Sequence, residues 1–320
     1  MYVITGALGF IGSNLARQLE KKNQEDLIIV DLDGQLATSE ISVSLLKNHQ
    51  FLSSHQFLEQ LKSHKIKNIK GIYHNGACTD TTEWDGEKMM RLNYNYSKEL
   101  LDICLKQDIP LVYASSGSVY GASLENDDRQ LDGHAPLNVY GYSKLLFDMH
   151  VQARVLNAPN MSRHHVVGLR YFNVYGPDES HKGKMASTIW HFSRQALAGE
   201  AIKLFKGSHG YQDGRQERDF IYVNDIVELN LWAMERCLVS GIYNAGTSIP
   251  RAFNDVADAI INFYGKGSKE YIPFPENLLP YYQSYTCATL NKLREAGYKG
   301  NFASLEKGIN DYLSKMEQVK

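Results

Sequence analysis

Cysteine is scarce in this chain of 320 residues, and the four present, Cys78, Cys104, Cys237 and Cys287, lie far apart with no C-x-x-C pair. Neither a disulfide framework nor a zinc site is indicated, so no metal is expected and a reducing, cytoplasmic setting fits. Charge excess is lacking too: 34 Lys plus Arg stand against 36 Asp plus Glu, a formal net charge of -2. That balance removes the bulk electrostatic case for nucleic acid or an anionic membrane as partner. Apolar stretches are short and broken by charges, well under the roughly 20 residues that cross a bilayer. The strand-like run Tyr2-Val3-Ile4 follows the first methionine directly, which predicts no signal peptide. With 43% hydrophobic and 22% charged residues, the composition is that of an ordinary globular chain.

What is present is a rhythm. Short β-rich runs, Tyr2 to Thr5, Leu27 to Asp31, Gly71 to His74, Leu111 to Ser115 and His165 to Phe172, alternate with helical patterns such as Gly12 to Lys21 and Glu87 to Lys106. This predicts an α/β fold, a Rossmann-type doubly wound parallel sheet with crossover helices. After about Asn173 the rhythm weakens into a polar loop from Ser208 to Arg218, a helix over Asp225 to Arg236, and an amphipathic helix near Ser304 to Lys315. Residues 1–172 therefore read as a nucleotide-binding domain to which later segments return. Residues 173–320 read as mainly a smaller C-terminal α/β substrate lobe.

The first run leads straight into Gly6-x-x-Gly9-x-x-Gly12 and then a helical pattern. A turn without Cβ atoms lets backbone N–H groups and a helix N-terminus approach a pyrophosphate. Asp31 closes the second strand about 20 residues on, where a carboxylate takes a ribose hydroxyl, which argues for NAD. NADP requires a cation near the adenosine 2′-phosphate, and Leu32 to Asn48 offers only Lys47. On chemistry alone the choice between the two stays open.

In Tyr140-Gly141-Tyr142-Ser143-Lys144 the phenol and amine are four residues apart and share one helix face. An ammonium beside a phenol stabilises phenolate, drawing the tyrosine towards neutral pH as a usable acid or base, and can also hold the nicotinamide ribose. Upstream, Ser115-Ser116 closes a strand at the carboxyl edge, where open α/β sheets bind ligands, so Ser116 can hydrogen-bond a reacting oxygen.

Together with Arg170-Tyr171-Phe172-Asn173-Val174-Tyr175-Gly176-Pro177, these motifs resemble the extended short-chain dehydrogenase/reductases that act on nucleotide sugars, over nearly the whole chain. The resemblance implies Tyr140 as catalytic base, Ser116 as its assistant and Lys144 supporting cofactor and tyrosine. The strings Gly76-Ala77-Cys78-Thr79-Asp80-Thr81-Thr82-Glu83-Trp84-Asp85-Gly86, Asn93-Tyr94-x-Tyr96-Ser97-Lys98 and His181-Lys182-Gly183-x-Met185-Ala186-Ser187 resemble more narrowly the branch that inverts C6 of an ADP-activated heptose for the lipopolysaccharide core.

That branch implies tightly bound NADP, oxidation to a 6-ketone and re-reduction from the opposite face, with Tyr140 and Lys182 as acid/base groups on two sides. It assigns to the cofactor Gly6, Gly9, Phe10, Ile11, Gly12, Asp31, Leu32, Asn75, Gly76, Ala77, Cys78, Thr79, Asn93 and Val174, with Tyr140, Lys144 and Lys182. It assigns to the ADP-heptose substrate Ser116, Asn173, Lys184, His191, Phe205, Lys206, Gly207, Ser208, Arg218 and Tyr282. It further implies a homo-oligomer, a pentamer. Three departures stand out: Lys184 occupies a position usually held by serine, no lysine lies near Thr38, and the loop Gly210 to Glu217 is long. Two rivals are a dehydratase or oxidoreductase on another nucleotide sugar and a non-catalytic nucleotide sensor. Dehydration normally uses an Asp-Glu pair after the serine, where this chain has Gly117-Ser118, and a sensor has no need of Ser116, Tyr140 and Lys144 together.

Overall fold

Parallel strands covered on both faces are continuous apolar runs, and that is the character of Tyr2-Val3-Ile4 and Leu27-Ile28-Ile29-Val30. The computed structural model describes residues 1–23, 26–34, 49–130, 133–158, 164–236 and 239–318. Thr38, Lys47 and Cys237 lie outside the described residues. The first six strands are β1 (Tyr2–Thr5), β2 (Leu27–Asp31), β3 (Gln50–Ser53), β4 (Gly71–His74), β5 (Leu111–Ser116) and β6 (Val166–Tyr171). Seven more follow: β7 (Asn173–Tyr175), β8 (Ile202–Phe205), β9 (Glu217–Arg218), β10 (Phe220–Tyr222), β11 (Gly241–Ala245), β12 (Arg251–Ala252) and β13 (Lys269–Ile272). β1 to β6 and β11 form one seven-stranded sheet in the order β11-β6-β5-β4-β1-β2-β3. All its pairs are parallel. The order reverses direction between β1 and β4, which opens a crevice at the carboxyl ends of those two strands.

Alternation sorts the side chains. Tyr2, Ile4, Leu27 and Ile29 face one core with Leu15 and Leu19 of α1 (Phe10–Asn23). Val3, Ile28, Val30 and Ile72 face the other, with Phe57 and Leu61 of α2 (Ser54–Lys62), Leu100 and Leu101 of α3 (Tyr96–Gln107), and Phe147 and Val151 of α4 (Val139–Val151). The stretch read as one helix from Glu87 to Lys106 is a short turn, a π-helical segment Met90–Asn95 and then α3. A third core joins Ile189 and Phe192 of α5 (Thr188–Leu197), Ile202 and Leu204 of β8, Val223 of α6 (Val223–Glu235), Val256 and Ile260 of α7 (Phe253–Tyr264), and Ile309 and Leu313 of α8 (Leu305–Gln318).

A candidate dinucleotide and nucleotide-sugar site

The glycine turn lies at the crevice. Gly6 has φ of +67°, and a Cβ there would come within 2.7 Å of the Gly76 nitrogen. A Cβ on Gly12 would lie 2.1 Å from the Gly6 carbonyl oxygen. Neither position tolerates a side chain, so the two loops after β1 and β4 meet backbone to backbone. Asp31 is buried, and its carboxylate accepts the N–H of Leu8 and of Leu32, both at 2.9 Å. The acid thus ties the turn to the end of β2, while burial pushes its pKa up against these two bonds.

Beneath the turn runs a chain of hydrogen bonds with one consistent proton order. Gly76 N–H donates to Thr5 Oγ1 at 3.1 Å, and Thr5 Oγ1 lies 2.6 Å from His74 Nδ1. His74 Nε2 lies 2.8 Å from Ser97 Oγ, which donates to the Asn93 carbonyl at 2.6 Å. Ser97 has spent its proton, so it accepts from Nε2–H, and Nδ1 accepts from Thr5. Burial and the Lys144 charge push the His74 pKa down to about 3, so the imidazole is neutral. Asn93 is itself 1% exposed. Its amide brackets the Cys78 backbone at 2.8 and 2.9 Å and donates to Ser143 at 2.9 Å. Its contacts are thus to Cys78 and to Ser143 of α4. Asn75 accepts from Tyr171 at 3.1 Å, while its Nδ2 is buried without a hydrogen-bond partner. That spare donor beside Gly6 and Gly76 suits a dinucleotide.

Asn138 caps α4 by accepting the Gly141 N–H at 2.8 Å, and from there Tyr140 and Lys144 share a face. Ser116 hydrogen-bonds the Tyr140 phenol and also accepts the Ser118 N–H at 3.1 Å. The expected lowering of the Tyr140 pKa does not appear within the polypeptide: burial raises it, and the Ser116 bond only opposes that rise. The reason is geometric, because Lys144 Nζ donates to the Ala114 carbonyl at 2.9 Å. Burial brings Lys144 down to about 8, with Asp148 opposing.

Ser116, Tyr171, Phe172, Asn173, Gln283 and Thr286 line one small cleft. Asn173 accepts from Thr286 at 3.2 Å, and Gln283 donates to the Gly121 carbonyl at 2.6 Å. Lys182 lies 5.3 Å over the Phe10 ring, at the first residue of α1 beside the glycine turn. Burial lowers its pKa, opposed by the buried Glu179. Glu179 also holds the loop by accepting from Gly176 and Ser187. Val174 lies in β7, partly buried; Lys184 is exposed and His191 partly buried on α5.

Arg218 is 6% exposed and forms no ion pair with a carboxylate among the described residues. Its guanidinium stacks 4.7 Å from the Tyr282 ring centre and 5.6 Å from that of Phe253. A buried cation without a counter-anion is costly, and burial lowers its pKa accordingly. Phe205 and Tyr282 both pack on Phe274 at 4.9 Å, so the aromatic wall and the cation adjoin. The polar loop from Ser208 is internally braced: Gly207 N–H donates to Asp213, Gln216 donates to the Lys206 carbonyl and Ser208, and Gly214 N–H donates to the Phe205 carbonyl.

One residue that the motifs did not single out organises the neighbourhood of Arg218. Asp219, fully buried, accepts from Thr247 N–H and Oγ1, Ser248 N–H and Ala288 N–H at 2.6 to 3.0 Å. Sequence carries no signal for it, since its four donors come from two distant loops.

A sequence profile described as the NAD dependent epimerase/dehydratase family matches residues 2–246. The ADP-L-glycero-D-manno-heptose-6-epimerase of Alkalilimnicola ehrlichii is 45% identical over 316 residues, covering 98% of this chain and 96% of that protein. The crystal structure of the Helicobacter pylori ADP-L-glycero-D-manno-heptose-6-epimerase superposes with a TM-score of 0.83 at 29% identity, covering 99% of this chain and 96% of that one. The NAD complex of Thermus thermophilus UDP-glucose 4-epimerase shares the fold at a TM-score of 0.80 and 23% identity, covering 100% of this chain and 99% of that one. With the glycine crevice and the Ser116, Tyr140 and Lys144 cluster in place, the chain belongs to the NAD dependent epimerase/dehydratase family.

Proposed function

We propose that this protein inverts C6 of ADP-D-glycero-β-D-manno-heptose to give the L-glycero epimer, a precursor of the lipopolysaccharide core. The observation that carries the reading is the Ser116 and Tyr140 hydrogen bond at the carboxyl edge of the sheet, one helical turn from the Lys144 ammonium. The 45% identity to an ADP-heptose epimerase over 98% of the chain selects the substrate.

The crevice fits a nicotinamide dinucleotide. Gly6 and Gly12 leave no room for side chains, the α1 N-terminus faces the turn, and Asn75 Nδ2 is a spare donor. A bound nicotinamide would supply reversible hydride acceptance at C6, the hydride leaving one face and returning to the other with no net redox. Tyr140, aligned by Ser116, holds and moves the proton of the C6 oxygen on one side. Lys182, whose pKa burial has lowered, is an amine able to do the same on the other side. Lys144 orients the ribose. Arg218 and Tyr282 bind the ADP diphosphate, which supplies the counter-charge that the guanidinium lacks. Asn173, Lys184, His191 and the Phe205 to Ser208 run complete the sugar-nucleotide contacts.

The branch resemblance favours NADP. A second reading, NAD, is favoured by Asp31, fixed at the end of β2 where a 2′-phosphate would meet a carboxylate. The mass of the dinucleotide that copurifies with the protein distinguishes them. In this proposal residues 1–172 with β11 hold most of the cofactor, and the rest of 173–320 is mainly the substrate lobe. Tyr142, Leu146 and Met149 form an exposed apolar stripe at helical spacing on α4, which supports self-association, taken here as a pentamer and read by sedimentation. The free thiols of Cys78, Cys104 and Cys287 fit the cytoplasm. Supplied with either ADP-heptose epimer, the purified protein should produce the other, with Tyr140→Phe and Lys182→Met each losing most activity. Normal turnover by Lys182→Met would sink the two-base scheme.

A further inference from the structure

We propose that Asp148 is a positioning residue of this site, pinning α4 to the end of β5 and serving as the counter-charge to Lys144. Three contacts join α4 to the end of β5. Along the end of β5, Ser116 meets Tyr140, the Ala114 carbonyl accepts from Lys144 at 2.9 Å, and Ser115 Oγ donates to Asp148 at 2.9 Å. Along α4, residues 140, 144 and 148 are successive turns of one face. Strand end and helix are therefore zipped by three rungs, and Asp148 is the one farthest from the reacting atoms.

The third rung is the strongest. Asp148 is 0% exposed and accepts from Tyr113 Oη at 2.9 Å and Arg170 Nε at 2.8 Å as well as from Ser115. Arg170 stands on β6, opposite Ser115 in the sheet register, so the acid joins β5, β6 and α4. Arg170 continues the network to Tyr120 at 2.9 Å, and Tyr120 donates to Asn244 of β11 at 2.7 Å. A helix held this way cannot slide along the strand without breaking several buried charged bonds, and such a slide would separate Ser116 from Tyr140.

Charge adds a second effect. The groups whose charge bears on Lys144 are His74 from β4 and Asp148 from its own helix, with Tyr113 and Arg170 acting through Asp148. Cys78 faces Tyr140. His74 is neutral, and Asp148 is the anion that offsets the burial of the ammonium. Asp148 is fully enclosed by protein and acts through Lys144 and through the Ser115 rung.

The inference rests on the proposed role of Lys144, and its test separates the two. Dinucleotide affinity and kcat are measured against pH for the parent protein, Asp148→Asn and Tyr113→Phe. In Asp148→Asn the alkaline loss of both should begin about one pH unit lower, because the ammonium loses its counter-charge. In Tyr113→Phe, which removes one hydrogen bond to Asp148 but no charge, stability falls and the profile stays in place. If Asp148→Asn does not fold because Arg170 is left unpaired, Asp148→Asn with Arg170→Gln removes both charges and should show the same displacement. Superimposable profiles for the parent and the Asp148 variant, or an equal displacement in Tyr113→Phe, overturn the proposal. Lys144→Met should lack the alkaline step in affinity, and a persisting step overturns the assignment to Lys144 and this inference with it. The affinity readout stands even if the parent turns over no ADP-heptose, so failure of the proposed reaction is seen separately.

Discussion

Acidification should weaken this fold through His74. Its ring sits between Thr5 at 2.6 Å and Ser97 at 2.8 Å, with pKa lowered to about 3 against an ordinary value of 6.5. Because the native state refuses the proton and the unfolded chain accepts it, the contribution to stability is complete above about pH 6.5 and is lost as pH falls towards 3. One pKa unit is about 1.4 kcal/mol, so by about pH 5 the cost is about 2 kcal/mol, taken in full because the ring is 4% exposed. Urea unfolding at about pH 7.5 and about pH 5 should be compared for the parent and His74→Asn, whose amide accepts from Thr5 and does not titrate. The parent should lose about 2 kcal/mol more than the variant over that interval. Equal losses would show that the imidazole is not the group responsible and would refute the proton order derived for the chain from Gly76 to Asn93.

Three other substitutions probe separate features. Gly6→Ala meets both the positive φ and the 2.7 Å approach to Gly76, so it should cost at least about 1 kcal/mol and abolish dinucleotide binding measured by calorimetry. Arg218→Leu removes a buried cation that has no carboxylate ion partner among the described residues. The melting temperature should hold or rise while KM for the nucleotide sugar climbs by about 100-fold or more, and a lowered melting temperature with unchanged KM would contradict this. Asp219→Ala strands four donors in the interior and should cost about 3 kcal/mol or more in chemical unfolding; a loss below about 1 kcal/mol would mean water replaces the carboxylate.

Much of the nucleotide half was legible because its signals are local. β1, β2 and β4 have the bounds that their apolar runs suggest, and the glycine spacing stands at the strand-to-helix turn. β3 and β11 were not legible. Each is five residues or fewer, and each owes its place in the sheet to a partner distant in sequence. The same limit applies to the site. Tyr140 and Lys144 announce themselves by spacing on one helix, whereas His74, Asp148 and Asp219 look like any polar residue until burial and distant donors give them work. The lysine-induced fall in the Tyr140 pKa was a pairwise expectation, and burial, a property of the whole environment, outweighs it.

The place of β11 at the edge of the main sheet bears on how the protein is made. A ribosome delivers β1 to β6 first, yet the outer edge of β6 stays unpaired until residue 245 has emerged. During that interval Val167 and Leu169 present an open strand edge in a chain that already contains its nucleotide-binding turn. Arg170, on the same strand, likewise waits for Asn244 of β11 to complete the buried network through Tyr120. Truncation at residue 172 should therefore yield an aggregating fragment rather than a stable cofactor domain, and nascent chains stalled before β11 should be the ones that engage chaperones.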